Sequence, residues 1–178
     1  LPQITNIAST LDGHRSEDPK KFQKDAQILK KALKKEPENS RYVFFLAQSY
    51  YQGGDYRLAL QTYLKRATMG GFDEEIYFSF YMAGRLQEIL NMPPEFFIDS
   101  YKKAMAIRPF RAEPYYRIAD YYHGIEQYDI AFDLLKQALS FPIPSDSLNV
   151  ERNIYDFALA MLFVDCANRL GRQPAASA

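Results

Sequence analysis

Few side chains in these 178 residues could take part in chemistry, and their spacing decides what each could do. Two histidines, His14 and His123, would be the candidates for proton transfer, but nothing in the sequence places them together. Glu74-Glu75, and Glu17 beside Asp18, are carboxylate pairs; at the starts of helical stretches they read as charges favoured by the helix dipole, not as an acid/base couple. Cys166 is the single cysteine and lies in an apolar helical stretch, so it reads as a buried inert thiol. It can form no intrachain disulfide, which points to a reducing compartment. The chain has no Gly-rich phosphate loop, no Cys-x-x-Cys, no His-Glu-x-x-His, no Gly-x-Ser-x-Gly and no Asp-x-Asp pair for a nucleotide-sugar metal. The expectation is no catalytic residue, no metal site and no cofactor.

What remains is a density of aromatics, greatest in "RYVFFLAQSYYQGGDYRLAL", Arg41 to Leu60. Prolines and glycines divide the chain into intervals with apolar residues at i, i+3, i+4, the period of amphipathic helices. Val43, Leu46, Ala47, Tyr50, Tyr56 and Ala59 reappear 72 residues later as Tyr115, Ile118, Ala119, Tyr122, Tyr128 and Ala131. Ala104 and Ala138 stand 34 residues apart, and Ala32 precedes Ala104 by 72. A helix–turn–helix period near 34 residues with these small and large positions is the tetratricopeptide pattern. The predicted fold is therefore all-α, a right-handed tetratricopeptide-like α-hairpin array of about three hairpins plus a helix at each end.

In that pattern Ala47 and Ala119 are small because the second helix of their own hairpin crosses there. Ala59 and Ala131 are small because the next hairpin's first helix packs on them, and the aromatics fill the gaps around these approaches. The predicted elements are a lone helix over Pro19–Lys35, hairpins over Ser40–Met69, Glu74–Ile107 and Ala112–Phe141, and a closing helix near Val150–Leu170. Arg66 breaks the register where an alanine is expected, and four extra residues lengthen the third first-helix to Glu74–Asn91. Its start reads as Asp73 at the N-cap, with Phe72 stapling onto Tyr77. Residues 1–18 read as an extended lead-in, 19–170 as the helical domain and 171–178 as a flexible tail.

Lysine plus arginine equals aspartate plus glutamate at 22 each, so no overall field draws the chain to nucleic acid, although a local basic patch is not excluded. The longest apolar run, Phe157 to Val164, is far short of the roughly 20 residues of a membrane span, and no signal peptide is visible. The reading is a cytoplasmic chain with no nucleic-acid partner and no membrane span.

Four strings are more specific than the repeat: "DGHRSEDPKKFQKDAQILKKAL", "RYVFFLAQSYYQGGDYRLALQTYLKRATMGGFDEE", "RPFRAEPYYRIADYY" and "SDSLNVERNIYDF". Together they resemble the helical region that follows the catalytic domain in certain family-2 glycosyltransferases, with Phe72 where that family would have Trp. The resemblance spans roughly residues 10–165 and implies a non-catalytic accessory module, with the nucleotide-sugar-binding part before Leu1. Its partner would be a protein or peptide, the parent's own catalytic domain, or a glycan acceptor. The alternative is a free-standing protein–protein adaptor.

Superposed as a tetratricopeptide array, the second and fourth first-helix equivalents would line a groove with Arg41, Phe44, Gln48, Tyr51 and Gln52, then Glu113, Tyr116, Asp120 and His123. This polar-aromatic mixture suits peptide or glycan contact by stacking and hydrogen bonds. A solvated groove, or one filled by the chain's own lead-in, is the competing expectation. Phe44 and Gln48 stand where a chaperone-tail carboxylate clamp would need Lys and Asn, which disfavours a chaperone adaptor.

Overall fold

A computed structural model describes residues 20–172. The lead-in with His14, and the tail from residue 173 onward, lie outside the described residues. The elements follow the punctuation closely: α1 Lys21–Lys35, α2 Ser40–Gln52, α3 Tyr56–Ala67, α4 Asp73–Ile89, α5 Pro94–Ile107, α6 Ala112–Gly124, α7 Tyr128–Ala138 and α8 Leu159–Arg169. Among the described residues there is no strand. Each helix packs on its neighbours in sequence, as a hairpin array requires.

Turn chemistry sets most of the boundaries. Asn39 caps α2 by accepting from the Tyr42 amide. Gly54 turns between α2 and α3 at φ +80, a conformation that disfavours any side chain. Pro94 opens α5 at its first helical position. α4 departs from the expectation: its N-cap is Phe72, and Asp73 is already helical with no capping bond. The Phe72 ring is 50% exposed instead of stapled, and Asn91, in the left-handed region at φ 52, lies beyond the helix end.

The small positions do what their size demands. Ala47, Ala59, Ala104, Ala119, Ala131 and Ala138 are all fully buried at helix crossings. α4 uses Gly84 where α2 and α6 use Ala47 and Ala119, and the Tyr101 ring of α5 occupies the space a side chain would need. Ala32 is only half-buried; among the described helices α1 packs closely on α2. The core divides into a cluster of α2–α5 built on Phe44, Tyr63, Tyr77 and Tyr101, a second of α6–α8 around Leu135 and Cys166, and a smaller one where Leu29 of α1 meets Leu46.

Arg66 is the register break, and the structure explains it. Its side chain is wholly buried, with Nε donating to Glu75 Oε2 at 3.0 Å and Nη1 to the Gly70 carbonyl at 2.9 Å. Nη2 lies 3.0 Å from the same Oε2, at an angle that makes no hydrogen bond. An ion pair therefore fills the crossing between α3 and α4 that alanine fills elsewhere.

Candidate functional site

The predicted groove residues separate into three groups. Phe44 and Glu113 are corrections, because both are buried and neither can meet a partner. Phe44 is 1% exposed and packs edge-on against Tyr63 of α3 and Phe78 of α4, whose rings cover it. Glu113 is 0% exposed in an internal ion network. A second group faces outward but is engaged within the chain. Arg41 reaches Glu75 at 3.0 Å with its guanidinium 5.2 Å from the Phe45 ring. His123 Nε2 lies 2.6 Å from Asp165 Oδ2, which joins α6 to α8. The third group, Gln48, Tyr51, Gln52, Tyr116 and Asp120, keeps half-buried or exposed side chains on α2 and α6. Tyr51 tilts against Tyr56 at 6.0 Å, and Tyr116 lies under the Arg117 guanidinium at 5.7 Å.

α4 belongs to this surface, and sequence reasoning omitted it. Tyr81, Arg85 and Glu88 sit on the α4 face between α2 and α6, with Tyr81 buried and the other two partly open. The signal was available: aligning Gly84 with Ala47 and Ala119 sets the α4 register that four extra residues obscure. Glu88 accepts from the Tyr101 hydroxyl, yet burial outweighs that bond and holds its carboxyl above the usual range.

The connector from α7 to α8 does not take the short path. It crosses back over the start of α6 to the start of α4, and closes the end of the groove with carboxylates. Asp146 takes Arg111 at 2.7 Å and also Arg108. Glu74 accepts from the Ser147 amide, the Ser147 hydroxyl and the Leu148 amide. Glu151 receives Arg117 at 2.8 Å, Arg85 at 3.2 Å and the Tyr81 hydroxyl. At the centre, Arg111 grips Glu113 through Nε at 3.0 Å and Nη2 at 2.6 Å, with its guanidinium 4.5 Å from the Tyr77 ring.

A π-helical turn over Ile154–Ala158 completes the clasp. The wider turn leaves Ile154 and Leu159, five residues apart, both buried in one cluster. It also aims Tyr155 at α6, where its hydroxyl donates to Glu113 Oε2 at 2.7 Å and accepts from the Ala112 amide at 2.9 Å. Burial would lower the Arg111 pKa, but its hydrogen bonds to Glu113 and the charges around it raise it, so the guanidinium is fixed as a cation. Burial and then the Glu113 charge push Tyr77 up, which keeps it a neutral phenol. The clasp is thus a saturated network that positions backbone. Among the described residues no group of three or more His, Cys, Asp or Glu could hold a metal ion, and burial raises the Cys166 thiol away from its reactive form.

One contact of this region makes a direct titration prediction. Its hydrogen bond from His123, and then the Arg169 charge against burial, holds the Asp165 carboxyl below its ordinary value. A lowered folded-state pKa contributes stability above the unfolded value, lost as pH falls through the folded one. Carboxyl NMR titration of Asp165 should give a midpoint below that of a free aspartate, moving up in His123→Phe. An unchanged midpoint in the variant would show that the pair does not form.

No protein-family model matches this chain, and no curated protein does. Solved structures do. The crystal structure of MamA superposes with a TM-score of 0.59 at 19% identity, covering 84% of this chain and 89% of that one. A second structure, of MamA protein, gives a TM-score of 0.59 at 18% identity over 88% and 89%. The likeness establishes the fold, a tetratricopeptide-like helical array.

Proposed function

We propose that this chain is a non-catalytic interaction domain that receives a partner on the α2–α4–α6 face. The observation that carries the reading is the line of half-open polar and aromatic side chains there, Gln48, Tyr51, Arg85, Glu88, Tyr116 and Asp120, on helices whose cores are otherwise closed. Tyrosine and arginine at such positions commonly dominate interface energy. The finer reading is an accessory domain of a family-2 glycosyltransferase-like protein that helps position a protein partner or an acceptor. It rests on the resemblance of the four strings alone, whose residues also meet in the fold: Glu74 of the second holds Ser147 of the fourth, and Arg108 and Arg111 of the third hold Asp146. A cytoplasmic location belongs to the same reading, through the lone buried Cys166. A free-standing adaptor is the alternative, and the full-length gene product separates the two. A nucleotide-sugar-binding domain upstream supports the first; its absence supports the second.

Where such a domain is found, titrating it as a separate polypeptide against this chain in a calorimeter tests the face. Tyr51→Ala with Tyr116→Ala should weaken association by about 2 kcal/mol, roughly thirty-fold, at a true hot spot. Thermal melting should stay nearly unchanged. Unaltered binding by the double variant, or early unfolding, would reject these tyrosines as contacts.

A further inference from the structure

We propose that the outward face of α1 docks on an anionic lipid bilayer surface. Residues 20–35 hold seven lysines against one aspartate, a surplus that the rest of this net-neutral chain balances with an equal excess of acid. Ala26 and Leu29 of α1 are turned inward, packing with Leu46 of α2. Lys24, Lys31 and Lys35 recur on the opposite side at helical spacing, and all are exposed, as are Lys30 and Lys34. Ile28 stands among them, 51% exposed. The one aspartate of the helix, Asp25, lies off this face by the same helical spacing, and Glu36, in the turn beyond, is bonded to Asn39.

The chemistry of the face selects the partner. Protein interfaces are enriched in aromatics and arginine and depleted in lysine, and this face has neither tyrosine nor arginine. It has no pocket-forming aromatic on which a nucleic-acid base could stack. A row of lysines about 17 Å long, from Lys24 to Lys35, suits a planar field of diffuse negative charge. α1 would lie on the surface without inserting, since its apolar side is committed to α2. Outside residues 20–35 the chain has 15 lysines and arginines against 21 acids, so an anionic surface favours α1 as the approaching side. Neutral net charge does not argue against binding, because the lysine surplus is concentrated within residues 20–35.

The test is co-sedimentation of the whole chain with vesicles of phosphatidylcholine carrying phosphatidylglycerol as the minor, anionic lipid, against vesicles of phosphatidylcholine alone. The chain should bind only the anionic vesicles and be released at about 1 M salt, where the screening length falls to about 3 Å. Replacing Lys30, Lys31, Lys34 and Lys35 by Gln should weaken binding by about a hundred-fold or more, at roughly one lysine's worth of surface attraction per position. Lys102→Gln with Lys103→Gln, on α5, should change little. The four replaced side chains are exposed, so circular dichroism should show an unchanged fold; the salt release of the unaltered chain tests the proposal independently. Failure to bind anionic vesicles, equal binding to neutral ones, or unaltered binding by the fourfold variant would overturn it. So would tighter binding to duplex DNA or to poly-glutamate than to the vesicles at equal anion concentration.

Discussion

Glu75→Ala is expected to destabilise the fold by about 3–5 kcal/mol, the range for breaking a buried ion pair from one side. Arg66 makes the effect large. Its side chain is fully buried, and without Glu75 only the Gly70 carbonyl remains within hydrogen-bonding reach of its guanidinium. An arginine cannot escape by losing its proton at any accessible pH, so an uncompensated cation would stay between α3 and α4. Arg41, the other cation on Glu75, is 61% exposed and simply returns to water. Thermal melting followed by circular dichroism reads the difference as a fall of roughly 10 °C or more. The double variant Arg66→Met with Glu75→Leu separates charge from packing. Removing both partners at similar volume should restore most of the lost stability, as apolar replacements of buried pairs often do. A Glu75→Ala protein that melts with the unaltered chain would mean that water reaches Arg66 and the pair is not buried.

Arg66 also shows where a one-dimensional reading of this chain stops. The hairpins were legible because size and period recur: Ala47 with Ala119, Ala59 with Ala131, and Ala104 with Ala138 are all crossings, and all are closed. Arg66 occupies such a crossing with an opposite solution, a long cation and a carboxylate nine residues on, which no periodicity of apolar residues announces. The clasp was illegible for a related reason. Arg111 and Asp146 are 35 positions apart and meet only because the α7–α8 connector turns back over α6. Phe44 and Tyr51 looked equivalent on one helix face, yet the rings of Tyr63 and Phe78 cover Phe44 and leave Tyr51 at the margin. Groove membership is thus decided by which rings of the next helices reach over each position, while the small residue of each first helix sets the crossing within its own hairpin.

Gly84 sets that crossing for α4 and α5, and Gly84→Ala should destabilise by about 1–3 kcal/mol. The sign is opposite to the ordinary rule, by which alanine in a helix interior is favoured over glycine by about 1 kcal/mol. A Cβ at Gly84 would stand 2.5, 2.7 and 2.8 Å from three ring atoms of Tyr101, closer than such atoms approach. The ring has little room to move. Tyr101 is 0% exposed, it packs edge-on against Phe97 and tilts against Tyr81, and its hydroxyl donates to Glu88. Relief must come from α5 moving off α4, which loosens the most aromatic part of the core. Tyr101→Leu in the Gly84→Ala background supplies the internal control, because removing the ring removes the clash. If the two substitutions together cost less than their separate costs added, the contact is the cause. Strict additivity, or a Gly84→Ala chain more stable than the original, would place the α4–α5 crossing elsewhere. Because Tyr81, Arg85 and Glu88 lie along the same helix, a shifted α4 should also weaken partner binding on the proposed face, even under conditions where the variant remains folded.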